Sequence, residues 1–535
     1  APEPPGYRFN EFGIYQMAVY SRADLMYGML RDMLGDSVFT EFLHDYYARW
    51  RFKHVDELAM RASAERVSGR DLGWFFEQWV HRTGLIDYAL ADVRTARGDS
   101  DWVTRVRVVR NGEYKHAMPV GARSALGWTI ARADPLRDDQ WVEIRTAEKP
   151  LAVRIDPLHS TEDWDRRDDV KNGLVAIDGR ARMFVPDWPF LSQSDRDRQL
   201  VALGPELWYT GPGGFTGAVR LRSSYARVED LAWDARELGI GISSRVPKGG
   251  RGIEHLNGWL TFANPRLPFA ERPLVGVTAG VWLIDGITKA EIAKVWNLSP
   301  FLFSNGPQVH LRLGVDATGP YDSRWLDLAR WQRARVYDAN LQLAWSARMP
   351  SALRARVRGF AGITDDLGGG TTRAFERIEG ELANTGTFGA SHGWTHRLRL
   401  FGGASHDAPL QRSIGLSSLD VTDTYTNDFV RGREALFARS DVNFVVPGGA
   451  GLRGYSPLVR VQRAAALNGE LARTIMEARA KSMVPEVQVT AFGDGAWVRL
   501  APGGTAHVFA DAGVGRLVRE QLWDKAVTLR FDVPL

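Results

Sequence analysis

Residues 527–535 read Val-Thr-Leu-Arg-Phe-Asp-Val-Pro-Leu, and this stretch decides the fold. Val527, Leu529, Phe531, Val533 and Leu535 fall on one side of a strand, and Thr528, Arg530, Asp532 and Pro534 on the other. A period of two with an apolar residue at every odd position is a β-strand with one greasy and one wet face. The pattern recurs upstream. Phe215, Gly217, Val219 and Leu221 oppose Thr216, Ala218, Arg220 and Arg222. Val309, Leu311, Leu313 and Val315 oppose His310, Arg312 and Gly314, and Leu341, Leu343 and Trp345 oppose Gln342, Ala344 and Ser346. Val487, Val489 and Ala491 oppose Glu486, Gln488, Thr490 and Asp494, while Arg354, Arg356 and Arg358 share a face, as do Arg397 and Arg399. A soluble sandwich shows the same alternation. Its repetition from 173 to 535 with no helix between favours a closed barrel whose greasy side faces lipid. Spanning strands of about 10 residues, with their turns and loops, leave room for roughly 16.

The bulk composition narrows the classes. The 535 residues suit several domains, and a net charge of +4 argues for no polyanionic partner. The absence of cysteine excludes disulfides and thiolate-bound metals. Nineteen tryptophans and 11% aromatic residues fit a membrane barrel, which uses such rings in girdles at the lipid interfaces. No apolar run of about 18 residues exists, so no membrane helix is expected. Ala1-Pro-Glu-Pro-Pro-Gly6 is no signal peptide and reads as a cut edge or a mature end.

The first 84 residues read as helices. Asp36 is expected to cap a helix whose stripe is Val38, Phe39, Phe42, Leu43, Tyr46, Tyr47 and Trp50, and Gly35 to end the helix before it. A third helix begins near Asp56, and Asp71 caps a fourth with Leu72, Phe75, Phe76, Trp79 and Val80. Residues 85–165 change to short alternating strands and suggest a small β-sandwich. The charged stretch 166–172 reads as a linker. The expected class is therefore multidomain α+β: a helical lobe (1–84), a β-sandwich (85–165), and a transmembrane antiparallel barrel of about 16 strands (173–535).

Two stretches carry family resemblances. Val19-Tyr20-Ser21-Arg22-Ala23, then Met29-Leu30-Arg31, then Leu34-Gly35-Asp36-Ser37-Val38-Phe39, resemble the membrane alanyl aminopeptidase family of gluzincin zinc metallopeptidases. Ser68-Gly69-Arg70-Asp71-Leu72, Phe75-Phe76, Gln78-Trp79, Gly84 and Ile155-Asp156-Pro157 continue the likeness, which spans residues 10–170. Arg22 and Ala23 depart from the family's Lys and Gly. The resemblance implies that Tyr20 holds the oxyanion of a tetrahedral intermediate beside zinc during peptide hydrolysis. The family's His-Glu-x-x-His is missing. His392 and His396 have its spacing, but Gly393 replaces the Glu, and on a strand the two histidines stand about 13 Å apart. His44, His54 and His81 lie on helices with no carboxylate in register. The zinc site is therefore expected upstream of this chain, with no metal bound here and the fragment inactive alone.

Gly448-Gly449-Ala450-Gly451-Leu452-Arg453-Gly454-Tyr455 resembles the Arg-Gly-Phe/Tyr motif of the outer-membrane surface-antigen barrels, the assembly-factor and two-partner-secretion superfamily. Phe492-Gly493-Asp494-Gly495 resembles that superfamily's Phe-x-Asp-x-Gly strand, with Phe509-Ala510-Asp511-Ala512-Gly513 as a second candidate. The resemblance implies a loop Arg453 that pairs with Asp494 on the inner wall as a structural lock.

Together these readings make the chain the C-terminal portion of an outer-membrane metallopeptidase with periplasmic N-terminal domains. Its expected partners are a peptide or unfolded polypeptide and membrane lipid, with no nucleic acid. The alternative is a protein translocation or insertion barrel with a non-catalytic, polypeptide-binding periplasmic domain. A third reading is a soluble all-β binding protein with a helical cap.

Overall fold

The structure is a computed structural model. It describes residues 15–534 apart from 171–181, 188–194, 196, 211–212, 226–232, 246–254, 267–273, 299–306, 327, 330, 348–350, 390–392, 418–420, 423–447, 457, 477–485, 501–503 and 523–524. The chain forms two compact units that part at Met183 and Phe184, with Asp195–Leu200 belonging to the first.

The first unit opens with α1 (Arg22–Leu34), α2 (Asp36–Trp50), α3 (Glu57–Ser68) and α4 (Gly73–Phe76), the last widening into a π turn, Glu77–His81. Gly35 separates α1 from α2 at φ 83°, a backbone region that side chains resist, and its N–H closes α1 on the Arg31 carbonyl. Asp36 does not cap α2 as expected. It is the helix's first residue and pairs with Arg31 at 2.6 Å instead, while Asp56 does cap α3 by accepting from the Ala59 N–H at 3.0 Å.

Six strands follow: β1 (Tyr88–Arg97), β2 (Trp102–Arg110), β3 (Pro119–Ser124), β4 (Gly127–Arg132), β5 (Asp139–Thr146) and β6 (Ala152–Ile155). They make two three-stranded sheets, β1-β2-β5 and β4-β3-β6. Helices and sheets share one core, in which Leu30, Phe42, Phe75, Tyr88, Val106, Val120 and Ile155 are all sealed from solvent. Burying each such side chain contributes about 1.5–3 kcal/mol.

The stretch 166–170 is no linker. Arg167 is buried and forks onto Asp165 at 2.6 and 2.7 Å, and the Ile155 N–H donates to the Asp169 carbonyl. The charges that read as a solvated connector are instead ion-paired against the sandwich.

The second unit is one sheet of sixteen strands in the order β24-β23-β22-β21-β18-β17-β16-β15-β14-β13-β12-β11-β10-β9-β8-β7. They are β7 (Arg182–Pro186), β8 (Gln199–Thr210), β9 (Gly214–Tyr225), β10 (Trp233–Ser243), β11 (Leu256–Arg266), β12 (Leu274–Ile284), β13 (Ile287–Asn297), β14 (Gln308–Pro320), β15 (Ala334–Ala347), β16 (Ala352–Asp366), β17 (Thr372–Phe388), β18 (Trp394–His406), β21 (Arg463–Met476), β22 (Glu486–Arg499), β23 (Ala506–Leu522) and β24 (Lys525–Pro534). β19 (Ile414–Gly415) and β20 (Arg460–Val461) form a ladder of their own. Every neighbouring pair whose register is described is antiparallel. Asp285 and Gly286 join β12 to β13 at φ 46° and 79°, the left-handed pair that a tight two-residue hairpin demands. Among the described residues β7 and β24 end the order without pairing, so the sheet is not closed.

The alternation of the sequence is the alternation of the sheet. Phe215, Val219, Leu313, Val315, Leu341, Leu343, Val489, Phe531 and Val533 point outward and are 45–62% exposed. Leu343 stands between Leu311 and Val357 in register, so the apolar face is a continuous band across strands. A soluble monomer seldom exposes an apolar surface of that extent. Three tryptophans depart from expectation, while Trp497 keeps to the outward face of β22 with Val489. Trp208, Trp259 and Trp282 are buried together on the inner face rather than girdling the outside, and a side chain at Gly239 or Gly280 would strike the Trp259 or Trp282 ring. The closing residue 535 and the chain's first six lie outside the described residues.

Candidate functional site

The inner face is charged and paired. Arg358 and Glu379 are register partners joined at 2.5 Å, and Arg356 and Glu381 likewise at 3.1 Å. Arg399 adds a bond to Glu381 at 3.0 Å, and Arg397 donates to Glu470. The arginine rows that stand out in the sequence therefore face acidic rows one strand away.

Against this wall lies the connection from β18 to β21, described over 407–417, 421–422 and 448–462 except 457. Gly449 and Gly451 adopt φ 56° and 75°, and a side chain at Gly451 would meet Arg399 and Asn468 at 2.9 Å. That tight backbone carries Arg453 to the wall. Its Nε and Nη2 donate to the two carboxylate oxygens of Asp494 at 2.8 and 2.9 Å, and its backbone N–H adds a third bond at 3.3 Å. Nη1 donates to Glu470 at 2.8 Å and stands 3.6 Å from Asp532. The guanidinium lies 3.8 Å from the centre of the Phe492 ring, so the two residues flanking Gly493 grip it from two directions.

The second candidate carboxylate holds the same loop: Asp511 accepts from the Gly454 N–H at 2.9 Å, and the Tyr455 hydroxyl donates to the Ala510 carbonyl at 3.0 Å. Asn468, Asp494 and Asp511 are register neighbours on β21, β22 and β23. Asp494 has no exposed side-chain surface. Removing Arg453 would strand that carboxylate, at a cost of about 3–5 kcal/mol.

Sequence reading missed Glu470, which collects Arg397, Arg453 and Arg530. Two strands separate β21 from β24, a span of about 14 Å in a flat sheet. Arg530 and Glu470 bridge that span with two long side chains. It also missed Arg412, since no local pattern marks an arginine whose partners lie on distant strands.

In the first unit, Tyr20 lies in the π turn Met17–Ser21, is 61% exposed, and meets Tyr15 edge-on at 5.9 Å. Arg22 follows as the first residue of α1. It donates to the carbonyls of Gln78, Trp79 and Arg82 at 3.3, 3.0 and 2.6 Å and stacks on Trp79, so it caps the carbonyls left over where the last helix ends. His81 has a carboxylate after all, Glu57 at 2.8 Å, supplied by α3. His396 bonds Asn384 at 2.7 Å, while His392 lies outside the described residues. Buried His116 joins Asp32 at 2.9 Å, and Arg132 clamps the same carboxylate at 2.7 and 3.1 Å. Those bonds hold the Asp32 carboxyl well below its usual range against the opposing cost of burial. Among the described residues no group of three or more His, Asp or Glu is placed to hold a metal.

Neither a family model nor a curated protein matches the chain. Solved structures do. BamA from Haemophilus ducreyi lacking POTRA domains 1–3 matches over 64% of this chain and 68% of its own, at 13% identity and a TM-score of 0.35. CdiB from Escherichia coli matches over 66% and 60%, at 12% identity and a TM-score of 0.39. CdiB from Acinetobacter baumannii matches over 85% and 55%, at 8% identity and a TM-score of 0.32. At these scores the strand order rests on the ladder itself. The outward apolar band places the sheet in a membrane, crossed by strands, which is the arrangement of the bacterial outer membrane. The peptidase expectation is corrected. The structures named above are BamA and CdiB, and not metallopeptidases.

Proposed function

We propose that this chain is an outer-membrane barrel that inserts or translocates unfolded polypeptide, with its first unit in the periplasm binding that polypeptide without cutting it. The observation that carries the reading is the Arg453 contact: a connection between two strands turns back onto the charged inner face and is held there by Asp494, Glu470 and Asp511. Such a folded-back segment occupies the path a polypeptide would take. Closure of the sheet by β7 and β24 is part of the proposal. Among the described residues β7 and β24 are the edge strands, and an unpaired edge strand is a template for another strand. The matched BamA and CdiB structures agree with this reading.

The test uses the full chain in liposomes with a urea-unfolded β-barrel client. Faster appearance of protease-resistant, heat-modifiable client than in empty liposomes is expected. Client folding at the rate of empty liposomes, with no protected client in the vesicle interior, would overturn the reading.

A further inference from the structure

We infer that the described parts of the β18–β21 connection, 407–417, 421–422 and 448–462 except 457, form a strap fastened at two points, and that it opens only when both are released. The first point is the Arg453 contact. The second is Arg412, in the short helical turn Leu410–Arg412, which is 1% exposed although it is a guanidinium. Its Nε donates to Asp338 at 2.8 Å and its Nη2 to Asp316 at 2.8 Å, so one fork spans β15 and β14. Its Nη1 donates to Thr422 further along the connection. Its carbonyl accepts from Arg377 of β17 at 2.9 Å, and Arg377 is itself held by Glu379 at 2.5 Å. The guanidinium stacks 5.3 Å from the Phe360 ring of β16. Beside it, the Gln332 N–H donates to Gln411 at 3.1 Å. A buried arginine with two carboxylates, a threonine and an aromatic face is a built site, because a charge so enclosed persists only when paired.

The two points belong to one body. β19 pairs with β20, the Leu416 N–H donates to the Val459 carbonyl at 3.0 Å, and the Ala450 N–H donates to the Gly415 carbonyl at 2.9 Å. Ile414, Leu416, Ala450, Leu452 and Val461 are buried with Phe401 and Val498 of the wall. Arg412 therefore ties this body to strands β14–β17 and Arg453 ties it to β21–β24. Loss of one fastening leaves the other, and the shared core between them, in place. The inference rests on the closed-barrel reading above and concerns its regulation.

Single-channel conductance of the reconstituted full chain tests it with no client present. Arg412→Ala and Arg453→Ala are each expected to leave conductance within about twofold of the parent, while the double variant raises the open fraction at least tenfold beyond their sum, the non-additivity of two groups that act as one unit. Heat-modifiable migration checks folding. If Arg412→Ala fails to fold, Arg412→Lys serves, since an ammonium cannot fork onto both carboxylates. A double variant, with Ala or Lys at 412, that conducts no more than Arg453→Ala alone would overturn the strap. A chain that gives discrete conductance steps but never assembles a client would sink the polypeptide reading and leave the strap standing.

Discussion

Strands β2 and β15 carry the same pattern and bury opposite halves of it. In β2, Val106 and Val108 are buried while Arg105 and Arg107 face water. In β15, Asp338 and Asn340 are buried while Leu341 and Leu343 are half exposed. The first unit carries its oil inside, in one core shared by helices and sheets. The second is turned out, its charges enclosed and its oil on the surface. An alternating strand states which residues share a face and not which face meets the solvent. The same chemistry thus stabilises the two units in opposite directions, and substitutions at matched positions should separate them.

The largest effect is expected where the oil is inside. Val106→Asp places an unpaired carboxylate in a sealed core and should cost more than about 4 kcal/mol, enough to unfold the first unit. Near-ultraviolet circular dichroism of the full chain would show the loss, and a first-unit transition that survives would break the contrast. Next is Arg453→Ala, at about 3–5 kcal/mol of local stability, read as hydrogen exchange at Gly454 and Tyr455. Unchanged protection there would mean that Arg453 is a bystander on the wall.

Leu341→Arg, on the outward face, should cost about 2–4 kcal/mol in bilayers and far less in a charge-tolerant detergent, measured as reversible unfolding in each. Equal costs in the two solvents would show that Leu341 does not face lipid. The smallest effect is a pH dependence of the first unit. Burial, with Asp163 close by, pushes the Asp169 carboxyl up to about 10. Folding then retains a proton that the unfolded chain gives up, so this contribution is complete below about pH 4 and is lost as pH rises toward 10. Asp169→Asn should raise the melting temperature of the first unit at pH 5 by a few degrees and change almost nothing near pH 3. A constant difference across that range would exclude the titration.

Much of this was legible from local pattern. The alternation of residues 527–535, of 309–315 and of 341–346 put the right side chains on common faces, and the allowance of roughly 16 strands matches the sheet. The pairing of Arg453 with Asp494 came from resemblance, through two short motifs that the structure brings within hydrogen-bonding distance. The peptidase likeness came the same way, and the activity expected from it is the one corrected above. Asp36 misled because a helix start is marked by backbone turn geometry, and Gly35 at φ 83° supplies the turn one residue earlier. The stretch 166–170 misled because its charges look solvated until their partners are known.

By itself the sequence determined where strands replace helices, which residues alternate, and which backbone turns require glycine, since each follows from steric and periodic constraints within a few residues. Only the tertiary structure decided which face of each strand is enclosed, that Arg412 is buried between Asp316 and Asp338, and that Glu470 gathers three arginines. Those outcomes depend on pairs separated by up to 96 residues along the chain, and a guanidinium's partner is set by which carboxylate is near it in space.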